Sequence, residues 1–531
     1  MEKNCPSCKE SVAEDDLFCM HCGGALTEPA PRFEVQAQRA QEMARWADVV
    51  RCRGSLVESL SAPESKAEQL QLIGVAQGEH LADVEAAQIS LNRALDLDPS
   101  RLQAFETLDR FLASTGDHAA QAEAYEKMLQ RATASGATEN VVVTLARNLG
   151  ELLRTQLNDQ EKAGVAYGMV LELRPDDAGT HRTLAQIHDA QGDRGRAIQH
   201  HRRAIDLKPN GFESYQALRH LFFAEKQYDS GWCLCRVLTV LGQASSEEVD
   251  FYERYATSTP TRAERALQQA HWSLIDHNQQ SQLLNALFER IFDTISSVMA
   301  ISARSLGLKR RRDFIDLNAT SRFTNVVGYL LDHLPVPHAE IYRSTQIRGM
   351  RPALLEPPVM LVNPAMMDHD LFTMAFVSGR YLSTLRPAHL VVSSFADAKS
   401  RQACAQKVVD TVRCLVDRKK SLPHRDEQLT EALGHNLSKG ELKSLGKLVG
   451  KMEREPEHHF DVAHWLRCVD FTGDRIGFIF ANNLEKPLSI IRKEDPKASV
   501  ATVAERIDAL VSFAFSDEYM QVRRLIGHNI D

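Results

Sequence analysis

The 531-residue sequence predicts a multidomain, mainly helical chain, and three observations carry that expectation. Four of its ten cysteines fall within the first 22 residues, as Cys5-x2-Cys8 and Cys19-x2-Cys22. A phrase ending in proline recurs as RALDLDP at Pro99, VLELRP at Pro175 and AIDLKP at Pro209, and the last two prolines are 34 residues apart. After Ser258-Thr259-Pro260-Thr261, a loop signal, the pattern changes and strand-like apolar runs enter a helical half. The length allows about three to four domains, so burying a core is not limiting.

Hydrophobic content of 43% and charged content of 25% belong to an ordinary globular protein. No run of 18 or more apolar residues predicts a membrane span, and MEKNCPSCKE lacks an apolar signal core, which leads to a cytoplasmic expectation. A net charge of −8 argues against a surface built for nucleic acid.

The first motif is the cysteine set. Two C-x2-C pairs separated by ten residues and followed by Gly23-Gly24 supply four thiolates at tetrahedral reach, and Pro6 suits the turn. The pattern resembles a zinc ribbon, with Cys5, Cys8, Cys19 and Cys22 as ligands of one structural zinc. Four protein ligands leave no open position for a substrate, and about 25 residues need metal binding to fold. The competing reading, a redox C-x2-C, lacks its βαβ setting. The other cysteines, Cys52, Cys233, Cys235, Cys404, Cys414 and Cys468, read as buried small hydrophobes, and Cys233-x-Cys235 has the wrong spacing for a zinc knuckle.

Thr27 to Pro31, TEPAP, reads as a stiff spacer, with helix expected from about Phe33. The period that follows resembles the tetratricopeptide (TPR) repeat. Leu184, Ala185, Ala197 and Ala204 stand at its apolar and small positions, as do Gly150, Ala163, Tyr167 and Val170, and Ala87, Leu91 and Ala94. Gly116-Asp117 and Gly192-Asp193 fit the turn between paired helices, where positive φ is needed. About five repeats are expected over residues 66–243, the last degenerate with Gly231 at the small position. The resemblance implies a solenoid whose concave groove binds a protein or peptide segment; the alternative is a spacer between two ends.

Residues 262–312 are expected to be helical, ending in Lys309-Arg310-Arg311-Arg312. Four consecutive basic residues on a helix point in different directions, which favours a solvated surface over a nucleic-acid site. Further on, 339–344 (AEIYRS) and 359–363 (VMLVN) read as strands, and Leu371 to Pro387, LFTMAFVSGRYLSTLRP, reads as a helix buried all round with Arg380 as its charge inside. This order resembles the approach to the active site in gluzincin-type zinc peptidases, the family that includes prenyl-protein and heat-shock membrane proteases. In that family G-H-E-x-x-H stands here, and this chain has Gly379-Arg380-Tyr381-Leu382-Ser383-Thr384. Arg380 and Thr384 replace the two histidines and Tyr381 replaces the general base. A second match, WLRCVDFTGDRIGFIF over 465–480, puts Asp470 at the third-ligand position, with Gly473-Asp474-Arg475 following.

Arginine has no lone pair to offer a metal, so the resemblance implies an inactive peptidase fold. An arginine in an apolar helix needs a partner, and the family geometry offers an ion pair with Asp470 or Asp474 in place of the metal. Arg467 competes for Asp470 from the same helix face, and the bland alternative is an Arg380 that snorkels to water. His458, His459 and His464 lack a ligand spacing. The polar segment Arg401 to Lys451, with Lys419-Lys420 and a break at Pro423, is expected to cover the former cleft.

The predicted order is therefore a zinc ribbon (1–26), a linker and leading helix (27–65), an all-α TPR solenoid (66–243), a connecting helical segment (244–284) and a mostly α, α+β zincin-like domain (285–531). The expected function is a non-catalytic adaptor that binds partner segments through the solenoid groove and the inactive cleft. The rivals are a hydrolase with an unorthodox site in the C-terminal half and a nucleic-acid-associated regulator acting through the ribbon.

Overall fold

The computed structural model describes residues 3–4, 9, 11–12, 29–417, 419–454 and 460–530. Cys5, Cys8, Cys19, Cys22, His458 and His459 lie outside these residues. Two units divide the chain, Met1–Leu207 and Lys208–Asp531.

In the first unit, β1 (Lys3–Asn4) pairs antiparallel with β2 (Ser11–Val12), bracketing the first C-x2-C pair in sequence. Lys9, just after Cys8, takes φ +66°. The expected spacer gives way to helix earlier than its prolines suggest, because the first helix runs Pro29–Glu42. Proline is tolerated in a first turn, where its missing N–H has no acceptor within the helix.

Helix pairs then follow one another: Pro63–Val75 with Val84–Leu97, Leu102–Thr115 with His118–Ala134, Glu139–Thr155 with Gln160–Leu173, and Ala178–Ala190 with Arg194–Leu207. Their signals act as the sequence requires. Gly116 and Gly192 adopt φ +71° and +80° between the paired helices. Asp117 and Asp193 accept backbone N–H bonds from Ala120 and Arg196, capping the next helix. Small residues set the approach: a Cβ on Gly150 would fall 2.8 Å from the Tyr167 ring, and Ala87, Ala163 and Ala197 are fully buried.

The fifth pair, Phe212–Ala224 with Tyr228–Val240, belongs to the second unit. It keeps the close contact, since a Cβ on Gly231 would fall 2.9 Å from Phe223. Its second helix is held by charge. Arg523 forks onto Asp229 at 2.9 and 2.7 Å, and Arg236, fully buried, donates to Asn482 and the Tyr519 hydroxyl.

The expected helical run over 262–312 is broken. Its main helix spans Gln282–Val298, the chain is irregular from Met299 to Lys309, and Arg310–Asp313 is a single turn. Gly307 at φ +67° and the bond from Ile301 N–H to the Leu354 carbonyl fix that path.

A three-stranded sheet has the order β3 (Glu340–Arg343), β5 (Val359–Val362), β4 (Met350–Ala353). The β3–β5 pair is parallel and β4–β5 antiparallel, so β4, which alternation did not reveal, is an edge strand. From β5 the chain passes through a 3-10 turn at Pro364–Asp368 into the Leu371–Leu382 helix. That helix, hereafter the Leu371 helix, is shorter than expected. It tightens into a 3-10 turn at Ser383–Leu385, and Arg386 turns out to ψ 134° before a new helix starts at Pro387. A residue before proline is driven from the helical region by the ring, which explains the break.

Candidate functional site

The Leu371 helix packs against Val462–Ala481, the Val462 helix, through glycines on both. A Cβ on Gly379 would stand 3.2 Å from the Gly477 Cα, and one on Gly477 would come within 2.6 Å of the Phe376 ring. On Gly473, it would lie 3.1 Å from the Arg380 stem. Glycine is required here for the approach of two backbones, which places Arg380 directly over the second helix.

Arg380 is 7% exposed and lies over the Phe376 ring, 4.3 Å from its centroid. Its Nε is 2.7 Å from Asp474 Oδ1, an ion-pair approach in which the N–H is not aimed at the oxygen. Its Nη1 meets Glu494. Arg506 holds the same two carboxylates, with a fork onto Asp474 at 2.7 and 2.8 Å and a bond to Glu494 at 2.5 Å. Two arginines and two carboxylates thus alternate in a closed ring. Burial works against the charge of Arg506, but Asp474, Glu494 and Asp470 together prevail and raise its guanidinium well above its ordinary value. Burial works against the charge of Glu494, but Arg380 and Arg506 prevail and hold its carboxyl below the usual range.

Of the two partners foreseen for Arg380, the structure selects Asp474. Asp470 instead takes Arg401 at 2.6 Å, the Ser499 hydroxyl at 2.6 Å and the Val500 N–H at 2.9 Å. Burial opposes its ionisation, and Arg401 and Arg506 outweigh that and lower its pKa. Arg467 turns to His464, at 3.4 Å. Glu494 and Arg506 lie outside both motif stretches and carry no local signal in the sequence, because they reach the ring from a third side of the site.

The other motif positions are equally unsuited to a metal. Thr384 lies in the 3-10 turn, its hydroxyl donating to the Tyr381 carbonyl at 2.5 Å, off the regular helical register that two ligands one turn apart need. Burial pushes the Tyr381 hydroxyl upward in pKa, so it is a neutral phenol. No group of three or more His, Cys, Asp and Glu side chains arranged to hold a metal ion occurs among the described residues. His464 lies in the first turn of the Val462 helix, its backbone N–H donating to the Asp461 carboxylate, and its ring nitrogen lies 3.7 Å from Cys468 Sγ. Burial raises the Cys468 thiol to about 12, so it is no nucleophile.

Above the ring opens a cleft of about 730 Å³, lined by Arg380, Tyr381, Thr384, Asp470 and Glu494 among others. Arg401 contributes to the lining from the first turn of Ala398–Val416, while Lys439–Arg454 forms a separate helix of the same polar segment. The basic run Lys309–Arg312 is partly spent inside the unit: Arg312 pairs with Asp313 at 2.6 Å and Arg310 bonds the Glu356 carbonyl.

No protein-family model matches this chain, and no curated protein sequence does. Solved structures similar to it include the MamA protein, at 17% identity over 35% of this chain and 95% of that one, with a TM-score of 0.23. The C-terminal part of a TPR repeat-containing protein from Cytophaga hutchinsonii is 17% identical over 42% of this chain and 87% of its own, with a TM-score of 0.27. The APC/C hetero-tetramer Cut9-Hcn1 is 16% identical over 36% of each chain, with a TM-score of 0.22. Scores this low add nothing to the geometry of the helix pairs, on which the repeat reading rests. No helix among the described residues is long and apolar enough to cross a membrane.

Proposed function

We propose that this chain is a non-catalytic protein-interaction adaptor: a zinc ribbon, a TPR-type solenoid and a peptidase-like domain that binds without cutting. The observation that carries the reading is the Arg380–Asp474–Arg506–Glu494 ring, which occupies the motif position where a peptidase needs lone-pair donors. A guanidinium cannot bind a metal or activate water, and both carboxylates beside it are already committed to arginines. The paired helices support a binding role, since stacked repeats present extended surfaces to partner segments. The ribbon is supported by its donor set and by the β1–β2 register beside the first pair; its four cysteines would hold one structural zinc and fold the segment. Among the described residues no disulfide links the cysteines, which suits a reducing, cytoplasmic setting.

The test combines zinc content with cleavage. Full-length protein and a variant with Cys5, Cys8, Cys19 and Cys22 changed to serine are chelated mildly, desalted, assayed for zinc and incubated with an unfolded protein substrate. The reading expects zinc to vanish in the variant and no cleavage by either. Zinc retained by the variant, or hydrolysis, would overturn it.

A further inference from the structure

The cleft above the arginine ring carries more positive charge than its own carboxylates neutralise. Seven cationic side chains line it against four acidic ones, in a chain whose net charge is −8. Arg380, Arg401 and Arg506 have carboxylate partners. Arg351 has none among the described residues. It stands on the edge strand β4, part-buried, with its Nε shielded from water and unbonded. Burial lowers its pKa, and the only titratable group opposing that is the nearby Tyr381. A guanidinium partly withdrawn from water without a counter-charge is costly, and an arriving carboxylate relieves the cost because the planar fork donates to it bidentately.

We infer that this cleft binds an acidic peptide segment, seating a Glu or Asp carboxylate on Arg351 beside the Tyr381 hydroxyl. A lone anion would leave most of the roughly 730 Å³ empty, whereas Ile347, Met366, Val377 and Phe395 in the same lining give a peptide's neighbouring side chains apolar contact. Exposed Lys493 and Lys497 extend the positive field along the cleft. The inference rests on reading this domain as a binding module.

The probe is a fluorescein-labelled peptide of alternating valine and glutamate, about eight residues long to match the cleft, with a valine–glutamine peptide as control. Anisotropy is measured on the full-length protein. The glutamate peptide is expected to bind at least about tenfold more tightly than the glutamine one. Arg351→Met, which keeps the stem and removes the charge, should abolish that preference, and Arg351→Lys should restore part of it. Arg351→Gln serves if the methionine variant does not fold. Equal affinity for the two peptides, no binding of either, or an unchanged preference in R351M would overturn the inference. So would complete displacement by low-millimolar inorganic phosphate, which would mark a small-anion site. Cleavage of the bound glutamate peptide would overturn the non-catalytic reading instead, and would leave the Arg351 contact standing.

Discussion

Arg380 Nε stands 2.7 Å from Asp474 Oδ1 and so ties the Leu371 helix to the Val462 helix by charge at the point where two glycines bring their backbones together. The two devices depend on each other. Without the glycines the helices would stand too far apart for the ring, and without Asp474 two arginines would be left to share the single carboxylate of Glu494.

Asp474 should therefore be the most costly member of the ring to lose. It is 1% exposed and serves both arginines, whereas Arg380 shares its two carboxylates with Arg506. Asp474→Ala is expected to destabilise the chain by about 3–5 kcal/mol, and Arg380→Met by distinctly less. Urea unfolding of both single variants and the double would show a coupling energy; strictly additive losses would mean that the two residues act independently.

The helix crossing predicts opposite outcomes for two glycines. Gly477→Ala, whose Cβ would meet Phe376, should cost about 1–3 kcal/mol. Gly328→Ala, on the Arg322–His333 helix with nothing within 4 Å, should stabilise by up to about 1 kcal/mol. The comparison needs only denaturation midpoints.

The acidic side of the pH profile follows from Glu494 and Asp470, whose folded pKa values lie below their ordinary 4.5 and 3.8. A depressed carboxylate contributes stability that is complete above its unfolded pKa and is lost as pH falls through its folded one. Unfolding midpoints should thus drop below about pH 4.5, and Arg506→Met should flatten the drop because it removes a cation that favours both charged forms.

In the first unit, burial lowers His200 and His201 to about 4. His200 also faces His181, at 2.9 Å between ring nitrogens, as well as His188 and Arg196, so a proton there meets other positive charge. Stability carried by the neutral rings is complete above the ordinary 6.5 and declines as pH falls toward about 4. Hydrogen exchange of the Arg194–Leu207 helix, corrected for intrinsic rate, should speed up over that range and do so less in His201→Gln.

Much of this molecule is legible from residue order because the signals are local. Gly116 and Gly192 announce positive φ, Asp117 and Asp193 announce caps, and Ala163 and Gly150 announce close contact at the 34-residue spacing. The strand, proline turn and buried helix before Arg380 are local too, as are four thiols in two C-x2-C pairs. Tertiary structure alone decided which carboxylate meets which arginine. Asp470 and Asp474 sit one turn apart and look interchangeable in sequence, yet one turns to Arg401 and the other to Arg380 and Arg506. Glu494 and Arg506 enter the ring, and Arg351 stays without a counter-charge among the described residues, for the same reason. Coulomb energy depends on distance in space and on burial, and residues 114 positions apart in the chain, Arg380 and Glu494, are neighbours only once the backbone has folded.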